Sequence, residues 1–153
     1  MVNYLQANQG DAKYLVAAIR SDLASPIILN TDEPVIAFGG FEGHDLAFSI
    51  KRLARLVNQG SVRFCMIQKR DIESAAELDT AGRRPKLGEQ RARLGQLPQL
   101  KARLKALADT HEKEEVRWIT DNCAQVPQGL WRSSTSAPSS STVLLYDCGS
   151  GAR

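Results

Sequence analysis

Apolar residues along this chain fall into short runs separated by glycine, proline and charged breaks, and each run has the length of one secondary-structure element. Val2 to Gln9 carries helix formers with Tyr4, Leu5 and Ala7 available to one face, and Gly10 and Asp11 stop the turn. Lys13 to Ile19 (KYLVAAI) is an apolar run of strand length, the pattern of a strand covered on both faces as in a parallel sheet. Ser21 and Asp22 then offer N-caps for a helix over Leu23 to Asn30, in which Pro26 is tolerable only near the first turn. A strand at Ile27 to Leu29 is the rival reading, because three apolar residues alone do not separate the two.

Pro34 restarts the chain, and Val35 to Phe38 is a second buried-strand candidate running directly into Gly39, Gly40, Phe41, Glu42, Gly43, His44 and Asp45. Three glycines so close together mark a loop with unusual backbone angles or close approach. Beyond it, Ile50, Leu53, Ala54, Leu56 and Val57 recur at helical spacing, with Lys51, Arg52 and Arg55 on the outer side and Gly60 at the end. Val62 to Ile67 is the third strand. Strand, helix, strand, helix, strand with short connections predicts parallel crossovers: an α/β, three-layer, Rossmann-like domain with a mainly parallel sheet of about four strands. The usual outcome of such crossovers sets the first strand between the second and third.

Regularity breaks over residues 68–115, where Lys and Arg alternate with Asp and Glu and where Gly82, Pro85, Gly88, Gly95 and Pro98 interrupt any helix. This stretch reads as a charged, solvated, partly helical insertion. Within it, Gln99 to Ala108 (QLKARLKALA) places Leu100, Leu104 and Leu107 on one helical face, suited to packing on the domain, to an anionic lipid surface or to a partner. Glu112 to Cys123 predicts a core-packing helix with its acidic residues in the first turn, where the helix dipole favours them. Ser133 to Thr142 (SSTSAPSSST) is a polar, low-complexity flexible loop, Val143 to Asp147 (VLLYD) the last strand, and residues 149–153 a disordered tail. Residues 1–148 therefore read as one domain.

Composition narrows the picture. With 153 residues, the chain is long enough to bury a core without disulfide or metal staples, and 42% hydrophobic with 24% charged residues is a globular balance. A net charge of +3 is too slight, and 6% aromatic content too low, to argue for a nucleic-acid partner. No window approaches the roughly 20 apolar residues of a membrane helix, and MVNYLQANQGDAK lacks the layout of a signal peptide, so the chain as written reads as water-soluble. Cys65, Cys123 and Cys148 and the isolated His44 and His111 have no metal-ligand spacing, so neither a metal nor a cofactor is expected. Cys65, inside VRFCMI, reads as a buried small hydrophobe. Cys123 and Cys148 are candidates to pair in an oxidising compartment or to stay free, since spacing does not supply the geometry that a disulfide requires.

The loop Gly39 to Asp45 is the one constellation with a functional look. It follows a parallel strand at its carboxyl end and precedes a helix, where open α/β sheets bind ligands and where helix amides attract anions. Phe41 can stack on a sugar ring, and Glu42, His44 and Asp45 can hydrogen-bond hydroxyls. The bland alternative is a tight turn in which Asp45 caps the next helix. GGFEGHD has neither the GK[ST] ending of a phosphate-binding loop nor dinucleotide-binding spacing. His44 beside Asp45 has no nucleophile elbow to serve, so independent catalysis is not expected. Trp131 is either a glycan-stacking aromatic or a packing contact. Asp121 and Asn122 read as a helix end.

The ordered segments DAKYLVA, ASPIILNTDEPVIAFGGFEGHD, LARLVNQGSVRFCMI, ITDNCAQVP and LYDC resemble the C-terminal soluble domain of a bacterial group within glycosyltransferase family 39, the class of protein O-mannosyltransferases and aminoarabinose transferases. Two departures stand out: Asp32 where such domains carry a glycine, and the charged insertion where they carry a glycine-rich stretch. The resemblance implies a polytopic parent enzyme in the cell membrane that transfers a sugar from a polyprenyl-phosphate donor to an envelope glycan acceptor. Its catalytic carboxylate would lie in the transmembrane part of the same polypeptide. This domain would sit on the extracytoplasmic side as an accessory, non-catalytic module for acceptor or glycan binding. The alternatives are a free-standing small α/β protein that binds a sugar or a phosphorylated ligand, and a small α/β hydrolase or transferase in its own right.

Overall fold

The computed structural model describes residues 1–39, 49–80, 112–132 and 143–149. The loop residues Gly40 to Asp45, the expected helix Gln99 to Ala108, the serine-rich loop and the tail beyond Gly149 lie outside the described residues. In chain order the elements are α1 (Val2–Asn8), β1 (Val16–Ala18), α2 (Ser21–Thr31), β2 (Val35–Ala37), α3 (Ile50–Asn58), β3 (Phe64–Gln68) and α4 (Lys69–Thr80). They continue with α5 (helical over residues 112–122), β4 (Ala124–Gln125), α6 (Gln128–Trp131) and β5 (Val143–Asp147).

The five strands form one sheet in the order β2-β1-β3-β5-β4. β1 pairs in parallel with β2 (Val16 opposite Val35) and with β3 (Ala17 opposite Cys65). β5 then runs antiparallel to β3, from Phe64 opposite Asp147 to Gln68 opposite Val143, and β4 is antiparallel to β5. The fold is α/β, but the expected mainly parallel sheet is corrected to a mixed one with two parallel and two antiparallel pairings. The physical reason lies in the return of the chain. β5 begins at Val143 opposite Gln68, the end of β3, and an apolar run such as VLLYD is compatible with either direction.

Alternation along each strand sends side chains to two faces, and both are covered. Ala17, Ile19, Cys65, Ile67 and Tyr146 meet Leu53 and Val57 of α3, Val116 and Ile119 of α5, and Ile72 and Ala75 of α4. Val16, Ala18, Phe64, Met66 and Leu145 meet Leu5 of α1, Ala24 and Ile27 of α2, and Trp131 of α6. Three layers result, and each Leu, Ile or Phe wholly removed from water contributes about 2 kcal/mol. On α1 the inward side is Leu5 with Val2 and Tyr4, whereas Ala7 faces out.

Local signals behave as their chemistry requires. The segment containing Ile27 to Leu29 is helical, with Pro26 inside α2 beyond the first turn. α3 ends with Gly60 at φ +67, its N–H donating to the Val57 carbonyl while the Ser61 N–H reaches Leu56, the paired bonds of a Schellman cap. Asp32 takes the same left-handed role at the end of α2, at φ 56. The charged stretch after β3 begins as helix α4, whose Ile72 and Ala75 pack on the core. Trp131 is buried and donates its indole N–H to the Val126 carbonyl at 3.3 Å, so it packs and does not present a stacking face.

Candidate functional site

The chain leaves β1 into α2 on one face of the sheet and leaves β3 into α4 on the other, so the carboxyl ends of these adjacent strands open a crevice. Open α/β sheets bind ligands at this kind of topological switch point, because no connection crosses over it. Gly39, buried, follows β2 at the same edge. It is the one member of the expected Gly39 to Asp45 loop within the described residues.

Three residues not singled out from the sequence line this crevice. Arg20, two residues past the end of β1, donates from Nε to Asp22 Oδ1 at 3.2 Å and from Nη2 to Asp22 Oδ2 at 3.1 Å. The same Nη2 donates across the crevice to Gln68 Oε1 at 2.9 Å, joining the ends of β1 and β3. Asp71, only 5% exposed, accepts the Gln68 backbone N–H at 2.7 Å, the back-reaching bond of a capping box at the start of α4. Burial raises the Asp71 carboxyl above its usual range, against the lowering pull of that hydrogen bond and of Arg20. The signal for Arg20 and Gln68 was their place: each is the first polar residue to end an apolar run, so each stands at the sheet edge.

This network offers hydrogen-bonding and charged groups. Arg20 is a fixed cation whose Nη1 amino group has no hydrogen-bond partner among the described residues, which suits a hydroxyl or an anionic oxygen. It contains no nucleophile beside a base. No group of His, Cys, Asp or Glu able to hold a metal occurs among the described residues. Glu115 on α5, 3% exposed, has no hydrogen bond or ion pair among them either, and burial, with Glu112 and Glu114 nearby, pushes its carboxyl up to about 8.

The opposite, amino edge is built differently. Arg63, just before β3, donates to both carboxylate oxygens of Asp147, from Nη2 at 2.9 Å and from Nε at 3.2 Å, and to the Asn8 carbonyl. Beside it Cys123 and Cys148 are joined in a disulfide, with Cys65 a buried free thiol. A cavity of about 690 Å³ opens here, lined among others by Gln9, Asp11, Asn58, Arg63 and Cys148. Its size alone does not make it the functional site: its one cation, Arg63, is fully engaged by Asp147 and Asn8.

Fold and edge chemistry together define a three-layer α/β module with a polar crevice and, among its described residues, no catalytic pair. The chain belongs to the family described as "Putative mannosyltransferase YkcB-like, C-terminal", whose model matches residues 1–81. That span holds α1 through α4 and the whole parallel half of the sheet, and it bears out the family resemblance drawn from the ordered segments. Among curated proteins, the chain is 36% identical over 64 residues to the "Putative mannosyltransferase YkcB" of Bacillus subtilis (strain 168), a match covering 42% of this chain and 9% of that protein. It is 29% identical over 69 residues to "Putative mannosyltransferase YycA" of the same organism, covering 45% of this chain and 10% of that protein. The chain thus matches about a tenth of the length of these relatives. No solved structure matches it.

Proposed function

We propose that this chain is the extracytoplasmic C-terminal domain of a polytopic membrane glycosyltransferase, mannosyltransferase-like, whose membrane part transfers a sugar from a polyprenyl-phosphate donor to an envelope glycan. The domain itself is an accessory module that engages the acceptor. The observation that carries this reading is the family match over residues 1–81, to a C-terminal region that forms a small fraction of far longer relatives named as mannosyltransferases. Two features support the finer parts. The Cys123–Cys148 disulfide suits an oxidising compartment. No described helix is long and apolar enough to cross a membrane, so membrane attachment falls to the rest of the parent. Acceptor hydroxyls are assigned to the crevice at Arg20 and Gln68.

The test compares the full-length parent in membranes with a version lacking this domain, using polyprenyl-phosphate mannose and an envelope glycan as substrates. Deletion is expected to raise KM for the acceptor roughly tenfold, a loss of about 1.4 kcal/mol, while release of mannose from the donor to water persists. Arg20→Met in the full-length protein should reproduce part of that rise. Sugar transfer by the isolated 153-residue chain, or unchanged acceptor KM after deletion, would refute the accessory role. Protection of the domain from protease added to intact spheroplasts would place it on the other side.

A further inference from the structure

Three cysteines distant in the chain converge at the amino edge of the sheet. Cys148 follows β5 and is held to β3 by its backbone N–H donating to the Arg63 carbonyl at 2.8 Å. Its sulfur is bonded to Cys123, at the end of α5, and also lies 3.5 Å from the Sγ of Cys65, the second residue of β3. A free thiol within contact of a disulfide sulfur has the reactant placement of thiol–disulfide exchange. The register reinforces it. Cys65 lies opposite Tyr146, so Cys148 two residues on shares its face of the sheet, while Ala124 opposite Asp147 brings Cys123 beside Cys148 from the other strand.

We infer that Cys148 is a shared sulfur that alternates between two partners, Cys123 in the resting form and Cys65 in a second form. The step is an isomerisation with no net oxidation. A transient opening of the sheet edge admits base to the wholly buried Cys65, which gives up its proton to that base, and its thiolate attacks Cys148 Sγ. The Cys65–Cys148 bond forms as the Cys123–Cys148 bond breaks, and the departing Cys123 thiolate takes up a proton. Burial pushes the Cys65 thiol up to about 12, which keeps it protonated at neutral pH and the resting form long-lived. The leaving sulfur, on half-buried Cys123, is the better hydrated of the two. The cavity lined by Cys148 offers a small thiol a route to the same sulfur.

The two forms differ in what is tied down. In the resting form the staple holds the α5–β4 junction to β5, where β4 contributes only two exposed residues. In the second form the bond joins β3 to β5, already paired over five residues, and the α5–β4 junction is left to its own contacts. The device is therefore a latch on the outer edge of the sheet.

The three cysteines fall on three different tryptic peptides, residues 64–69, 118–132 and 133–153, so the pairing can be read directly. The 153-residue chain is incubated natively in a buffer of reduced and oxidised glutathione, quenched in acid, alkylated and digested without reduction. The 64–69/133–153 linked pair should appear at on the order of one chain in a hundred or more, with Cys123 alkylated in the same fraction. Cys65→Ser should lower the alkylation of Cys123 to the level that glutathione attack alone produces. Cys123→Ser should form the Cys65–Cys148 bond as its main product under oxidation. A wild-type map holding only the Cys123–Cys148 link overturns the proposal, and so does a Cys123→Ser chain that leaves Cys65 a thiol while Cys148 carries glutathione. Where Cys123→Ser does not fold, the wild-type map decides alone.

Discussion

The parallel half of the sheet, β2-β1-β3, and the antiparallel half, β3-β5-β4, are stabilised by different physics. In the parallel half β1 is covered on both faces and flanked on both sides, and Leu15 through Ile19 are all buried. In the antiparallel half β4 is short and exposed, and the chain there is fastened by a disulfide and by Arg63 gripping Asp147. Burial scales with the area a segment can hide, so a central strand needs little else. An edge with two-residue pairing hides too little, and covalent and charge-assisted ties supply the difference. The family match covers the first half and stops one residue past α4.

The sharpest way to break this contrast is to remove apolar volume from the centre. Leu15→Ala should lower stability by about 4 kcal/mol by urea denaturation, more than any change at the edge. Replacing Cys123 and Cys148 together by serine should cost about 3 kcal/mol by the same measurement, with β1 amides remaining the slowest to exchange once the loss is allowed for. A larger effect there than at Leu15 would mean the staple, not the core, carries the fold. At the carboxyl edge, Asp71→Ala should cost about 1 kcal/mol, because it leaves the part-buried Gln68 N–H without its acceptor, whereas Asp71→Asn should retain most of the stability.

Glu115 makes the outer half pH-sensitive. Its carboxyl moves from an ordinary 4.5 to about 8 on folding, so the folded state favours the protonated form. Stability is then full below about 4.5 and declines as pH rises toward 8, by on the order of 1 kcal/mol per pH unit. Thermal melts at several pH values should show this slope, and Glu115→Gln should flatten it. The smallest expected effect is a gain. Asp32→Gly relieves a left-handed residue worth about 1 kcal/mol but loosens the unfolded chain, for a net gain of roughly 0.5 kcal/mol in the urea midpoint. A loss would show that the Asp32 side chain contributes something its backbone strain conceals.

How much of this was legible beforehand follows from the range over which each force acts. The runs KYLVAAI, VRFCMI and VLLYD announced strands because continuous apolar character means cover on both faces, and Gly60 announced a helix end because its left-handed turn is a local matter. Two small elements escaped: β4 has two exposed residues and α6 spans four, too short to set up any periodicity. The site was half legible. Sequence placed a ligand edge at the carboxyl end of β2, where Gly39 lies, but Arg20, Gln68 and Asp71 are 48 and 3 residues from one another along the chain and only meet across the switch point.

What the amino-acid order determined by itself, then, is the alternation of buried strands with amphipathic helices, and through the ordered segments the family. Direction and neighbourhood were settled only in three dimensions. An apolar strand pairs equally well either way, so the antiparallel placement of β5 is decided only in the assembled sheet. The meeting of Cys65, Cys123 and Cys148 depends on that placement in turn, since sulfurs 25 and 83 residues apart have no local chemistry to bring them together.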